Sequence, residues 1–151
     1  MRIEVKRVSS PFHFVATSAA GHQVHMDELP ESGGTNEGVS PMQMLIMAMG
    51  GCSGIDIVMI LEKQRQRVDS FDMELDAERP KGVVGAPYAT LHAHYILTGD
   101  VDPVKAQRAI RLSIDKYCGV SRTLRPTAEI TASVSVNGER YPVELGMENE
   151  E

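Results

Sequence analysis

The run from Met42 to Leu61 constrains this chain more than any other feature: nearly every residue is apolar or small, and Cys52 sits at its centre. Ser40 is a good N-cap, Pro41 suits the first helical position, and Gln43 completes a capping box by reaching back to the Ser40 amide. A helix is therefore expected over Ser40 to Arg67, ending in the charged stretch Glu62 to Arg67. Its apolar residues keep to no single stripe, so it needs cover on nearly all sides. A bilayer span also uses roughly 20 apolar residues, but Asp56 in mid-run, three glycines and the lack of an aromatic belt argue against one. The reading is a core helix too large for a small chain to wrap, with a second copy supplying part of the cover. Gly50 and Gly54 either admit another backbone near Cys52 or mark a kink.

At 151 residues a single domain over 1–151 is expected, and 42% hydrophobic content excludes a disordered chain. The net charge of −6 and the acidic end Met-Glu-Asn-Glu-Glu argue against nucleic acid or an anionic membrane as partner. Two cysteines are too few for a secreted disulfide scaffold, and the N-terminus shows no apolar signal region, which points to the cytoplasm. Five methionines between Met42 and Met59 surround Cys52 with soft, oxidisable side chains.

Alternation marks the strands. Arg2 to Val8 reads as a first strand, and Phe12 to Ser18 with His22 to Asp27 as a hairpin, giving a three-stranded opening sheet. Leu29 to Val39 breaks every pattern and reads as a flexible surface loop. Phe71, Met73, Leu75 and Ala77 alternate with acidic residues, and Tyr88 to Thr98 resumes with Leu91, Ala93, Tyr95 and Leu97 on one face, the two strands pairing antiparallel. Asp102-Pro103 opens a second helix through about Tyr117, with Ala106, Ile110, Ile114 and Tyr117 inward. Ser121 to Leu124 adds a short turn of helix; Ile130 to Val136 then folds back through Asn137-Gly138 onto an edge strand carrying Pro142. The fold class is α+β.

Each cysteine by itself has a bland reading as a buried packing thiol. Asp56, one turn beyond Cys52 and on its face, opposes a thiolate unless a cation joins it; alternatively it binds Ser53 or donors of a neighbouring chain. His92 and His94 on one strand face, and His22 with His25, invite a metal, but the latter pair points to opposite faces of a strand and the former is expected to be solvated, so no metal is assigned. Gly33-Gly34 and Gly50-Gly51 lack the context of a phosphate loop, and no cofactor is implied.

Taken together, Gly-Gly-Cys in a Met-rich helix and Lys-Tyr-Cys-Gly-Val-Ser-Arg-Thr-Leu after the second helix resemble the family of osmotically inducible protein C and the organic hydroperoxide resistance proteins (OsmC/Ohr). The likeness spans roughly residues 1 to 136 and is nearest the small bacterial branch that carries Ser-Pro-Met before Gly-Gly-Cys. It implies an α+β fold whose homodimer buries the long central helices between sheets. It also implies a thiol-dependent hydroperoxide reductase in which Cys52 attacks the peroxide and Cys118 resolves the sulfenic acid as a disulfide. A dithiol reductant restores both thiols, and the substrate is a small apolar hydroperoxide. Active members carry a Glu where this chain has Met42, joined by an Arg from the N-terminal strands; Arg7 and Arg122 match no motif position and receive no role. The alternative is a non-enzymatic dimer of the same fold that binds a small molecule or senses oxidant.

Overall fold

The computed structural model describes residues 1–146, and the acidic end at 147–151 lies outside the described residues. Among them, seven strands form two sheets, with three α-helices, so the class is α+β. The chain divides into two compact units, Met1–Met47 and Ala48 onward, the divide falling inside the central helix.

In the first unit β1 (Ile3–Ser9), β2 (His13–Ser18) and β3 (Gln23–Met26) make an antiparallel sheet in chain order, as the alternation predicts. Val5 faces Ala16, and Phe14 faces Met26. The segment after β3 differs from the expected flexible loop, because Asp27 organises it. That carboxylate is 2% exposed and accepts from the Glu28, Thr35 and Glu37 amides and from the Thr35 hydroxyl. Burial alone would raise its pKa, but the Thr35 hydroxyl and the three amides outweigh it and bring the value down to about 2. A single 3-10 turn, Pro30–Ser32, and a bridge between Met26 and Val39 complete the segment.

The central helix α1 spans Pro41–Lys63 and opens on the expected capping box: the Ser40 amide donates to Gln43 Oε1 at 3.1 Å, and the Gln43 amide to Ser40 Oγ at 3.3 Å. It stops sooner than the charge pattern suggests. Arg65 takes a left-handed φ of 55°, its amide donates to the Glu62 carbonyl and the Gln66 amide to that of Leu61, a Schellman end with Arg in the position glycine usually holds. The residues read as the basic helix end thus form a reversal, and Arg67 already belongs to a strand.

The second unit carries the sheet order β4-β5-β6-β7, from β4 (Arg67–Glu78), β5 (Thr90–Asp100), β6 (Glu129–Val136) and β7 (Glu139–Val143). The β4–β5 pair is antiparallel, as expected, and β6 lies parallel to β5 because the intervening helices carry the chain back over the sheet. Asn137 and Gly138, both at positive φ, make the tight turn into β7, the edge strand on which Pro142 is tolerated. The core holds Leu91, Ala93, Tyr95 and Leu97 of β5 and Val134 and Val136 of β6, under Met49, Ile57 and Leu61 of α1 and Ala106 and Ile110 of α2 (Pro103–Leu112).

By length and composition α1 could cross a bilayer, yet one side of it packs as a core helix does. A Cβ at Gly50 would lie 3.1 Å from Leu75 Cδ1, and one at Gly54 would lie 2.8 Å from Met73 Cε. The two glycines therefore admit the side chains of β4, where the sequence reading offered another backbone or a kink.

Between Ser113 and Tyr117 the helix following α2 widens into one π turn, and α3 (Gly119–Leu124) begins after Cys118. The extra residue rotates the chain, so Ile114 and Cys118 are fully buried while Tyr117, expected inward, is 54% exposed.

Candidate dithiol site

Cys52 occupies the middle of α1, half-buried; Cys118 occupies the extended link between the π turn and α3, fully buried. Elements more than sixty residues apart in sequence meet here: the two sulfurs and a carboxylate oxygen of Asp56 all lie within 4.8 Å of one another. Asp56 follows Cys52 by one helical turn, which puts both side chains on one face.

A buried set of hydroxyls fixes this triangle. Tyr95 of β5 donates to Ser53 Oγ at 2.9 Å, and Ser53 Oγ donates to the Gly50 carbonyl at 3.3 Å. Ser113, at the start of the π turn, places its hydroxyl 3.1 Å from Asp56 Oδ2 and 3.3 Å from the Ser53 carbonyl. Within the chain the donor to Asp56 is thus Ser113 and not Ser53, whose hydroxyl goes to the Gly50 carbonyl. None of Tyr95, Ser53 and Ser113 stands out in sequence; the one available signal was that a buried Tyr on the apolar face of a strand needs a partner for its hydroxyl.

The Cys118 sulfur accepts from the Ser121 amide at 3.4 Å. Burial pushes the Cys118 thiol above its ordinary range, the Ser121 contacts pull it back, and the neighbouring Cys52 sulfur adds to the rise. Burial likewise raises the Tyr95 hydroxyl to about 12 against the pull of its bond to Ser53. Cys118 accordingly keeps its proton at neutral pH beside the more accessible Cys52, while the Tyr95 proton stays on its bond to Ser53.

The histidines lie elsewhere. His94 Nδ1 bonds Ser133 and its Nε2 Ser135, while His92 Nδ1 bonds Thr131 and its Nε2 Ser133, at 2.8 to 3.0 Å. They are held by a row of β6 hydroxyls, not solvated as the sequence reading had them, because the parallel pairing sets Thr131, Ser133 and Ser135 beside them. His94 is held below its usual pKa by burial and by Arg140. His22 precedes β3 instead of lying in it, and His25 Nδ1 meets His13 Nε2 at 2.8 Å. Arg7 bonds Ser10 and the Pro11 carbonyl in its own turn.

An α+β chain with a long central helix presenting one thiol to a second, beside a later helix, defines a class of paired-cysteine proteins. The OsmC-like protein family model matches residues 34–133, and the chain belongs to that family. Protein YhfA of Escherichia coli K12 is 40% identical over 139 residues, covering 90% of this chain and 98% of its own. A hypothetical protein from Aquifex aeolicus VF5 has a crystal structure that superposes with a TM-score of 0.79 at 26% identity, covering 90% of this chain and 95% of the other. An organic hydroperoxide resistance protein OsmC from Legionella pneumophila shares the fold, with a TM-score of 0.69 at 16% identity over 90% of this chain and 98% of that one.

Proposed function

We propose that this protein is a thiol-dependent reductase of organic hydroperoxides, with Cys52 as the attacking residue and Cys118 as the resolving one. The approach of the two sulfurs, within 4.8 Å, carries the proposal. Cys52 is the more exposed of the pair and so the one a peroxide can reach; Cys118, buried and held protonated, is suited to wait for the second step.

The Cys52 thiolate attacks one oxygen of the substrate, the O–O bond breaks, and the alkoxide leaves and takes up a proton as the alcohol. Cys52 is left as a sulfenic acid. The Cys118 sulfur then attacks the Cys52 sulfur, its proton departs with the hydroxyl as water, and a disulfide forms. A disulfide's sulfurs are about 2.05 Å apart, so closure asks for side-chain rotation and a modest approach of the elements. An external dithiol reduces the bond by exchange and is itself oxidised.

The working unit is a homodimer of single-domain chains in a reducing, cytoplasmic setting. Supporting the dimer, α1 leaves Ile55 65% and Met59 49% exposed, with Val58 beside them, an apolar strip that a second copy would cover and that would make the entrance to Cys52 apolar. Such an entrance favours alkyl over hydrogen peroxide. The Legionella relative's name points the same way.

A second reading, a dimer that senses oxidant or binds a small molecule without turnover, is favoured by Met42 standing where active members place a Glu. To separate them, reduced protein is mixed with cumene hydroperoxide and a dithiol, and peroxide loss is followed. Consumption that disappears in Cys52→Ser supports the reductase; a rate equal to that of a thiol-free control sinks it.

A further inference from the structure

We propose that Cys52, Asp56 and Cys118 together form a binding site for one thiophilic divalent cation of the zinc class. The inference uses the thiols of the reductase reading but does not depend on peroxide turnover.

Two sulfurs and a carboxylate oxygen mutually within 4.8 Å are close to what such an ion needs. Metal–sulfur bonds of about 2.3 Å and metal–oxygen bonds of about 2.0 Å place tetrahedral ligand atoms about 3.5 to 3.8 Å apart. Side-chain rotations supply the difference. The donor set also speaks for the kind of ion: thiolates select soft or borderline metals, and a carboxylate beside them disfavours a monovalent copper site and suits zinc.

Supporting contacts of the kind that orient metal ligands are already in place. Ser113 holds one Asp56 oxygen at 3.1 Å, and the Ser121 amide supports the Cys118 sulfur at 3.4 Å. Three protein ligands leave a fourth position, which falls on the Cys52 side because Cys118 is fully covered while Cys52 and Asp56 are half-buried.

On binding, each thiol gives its proton to solvent as a metal–sulfur bond forms, and no electrons move. The ion then engages the Cys52 lone pair required for attack on a peroxide, so bound metal and peroxide reduction exclude each other. Conversely, the disulfide cannot ligate, and oxidation would expel the ion.

Cobalt(II) is the probe. Titrated into reduced, metal-free full-length protein, it should bind one per chain and develop thiolate-to-cobalt charge-transfer absorption with the strong visible bands of a tetrahedral site. The sulfur absorption should be sharply reduced in both Cys118→Ser and Cys52→Ser and lost in the double variant. Ser113→Ala, a mild change that leaves every ligand present, should weaken binding about 10- to 100-fold. His92→Ala should change nothing, and zinc should bleach the bands. A weak six-coordinate spectrum without sulfur absorption overturns the proposal, as does equal affinity in Ser113→Ala and Asp56→Asn, each checked for native circular dichroism. Cobalt–sulfur absorption in a protein whose metal-free, reduced form consumes no peroxide would leave this site standing and remove the reductase; peroxide consumption by the metal-free form without that absorption on adding cobalt would do the reverse.

Discussion

Tyr95 donates its hydroxyl proton to Ser53 Oγ at 2.9 Å, a bond that ties β5 to α1 one residue beyond Cys52. Both residues are fully buried, so the bond sets how α1 rests on the sheet and where the thiol is held.

The two ends of this bond are not equivalent. Ser53→Ala strands the Tyr95 hydroxyl in the core and should destabilise the protein by about 1–3 kcal/mol. Tyr95→Phe leaves Ser53 still bonded to the Gly50 carbonyl and should cost about 1 kcal/mol. Urea unfolding of both variants, and of the double variant, should give the larger loss for Ser53→Ala and less than the sum for the pair.

Removing the resolving thiol separates the two chemical steps. In Cys118→Ser, one equivalent of cumene hydroperoxide should still be consumed, and a Cys52 sulfenic acid should accumulate and be trapped by a cyclic dione, detected by mass spectrometry. Turnover with a dithiol should slow markedly. Unchanged turnover would mean that external thiols resolve Cys52 directly.

Asp27 gives the first unit an acid-sensitive element. Its folded pKa, about 2, lies below the ordinary 3.8, so its contribution is complete above about pH 4 and is lost as pH falls toward 2. Asp27→Asn should lower stability at neutral pH and flatten the decline over that acid range, read from denaturant midpoints. An acid limb unchanged by the substitution would show that Asp27 is not its source.

Ile55→Lys puts a charge on the exposed strip of α1 at a position the single chain leaves open. Sedimentation should show a dimer for the parent and a shift toward monomer for the variant, with monomer folding retained. A variant dimer as tight as the parent would place the contact on another face.

Much of this architecture was legible because its signals are local. Alternation in β1, β4 and β5, the Ser40–Gln43 box and the Asn137-Gly138 turn each report on adjacent residues. What escaped depends on the third dimension. The π turn shifts the inward position from Tyr117 to Cys118, with no mark in a 3.6-residue pattern. Arg65 reverses the chain in a left-handed conformation that composition assigns to glycine. The Asp27 loop looked patternless because its bonds run from one carboxylate to backbone amides, which every residue has. Both cysteines were picked out by their flanking residues, whereas Ser113 reaches Asp56 only through the packing of α2's continuation against α1.

The most direct test of the account is the bond between the two thiols. Reduced protein is treated with one equivalent of cumene hydroperoxide, alkylated under denaturing conditions, and mapped by peptide mass spectrometry. The account predicts a Cys52–Cys118 disulfide, formed rapidly and reversed by a dithiol. Two thiols still free after the peroxide is added, or a Cys52 oxidised to sulfinic acid with Cys118 untouched, would contradict it.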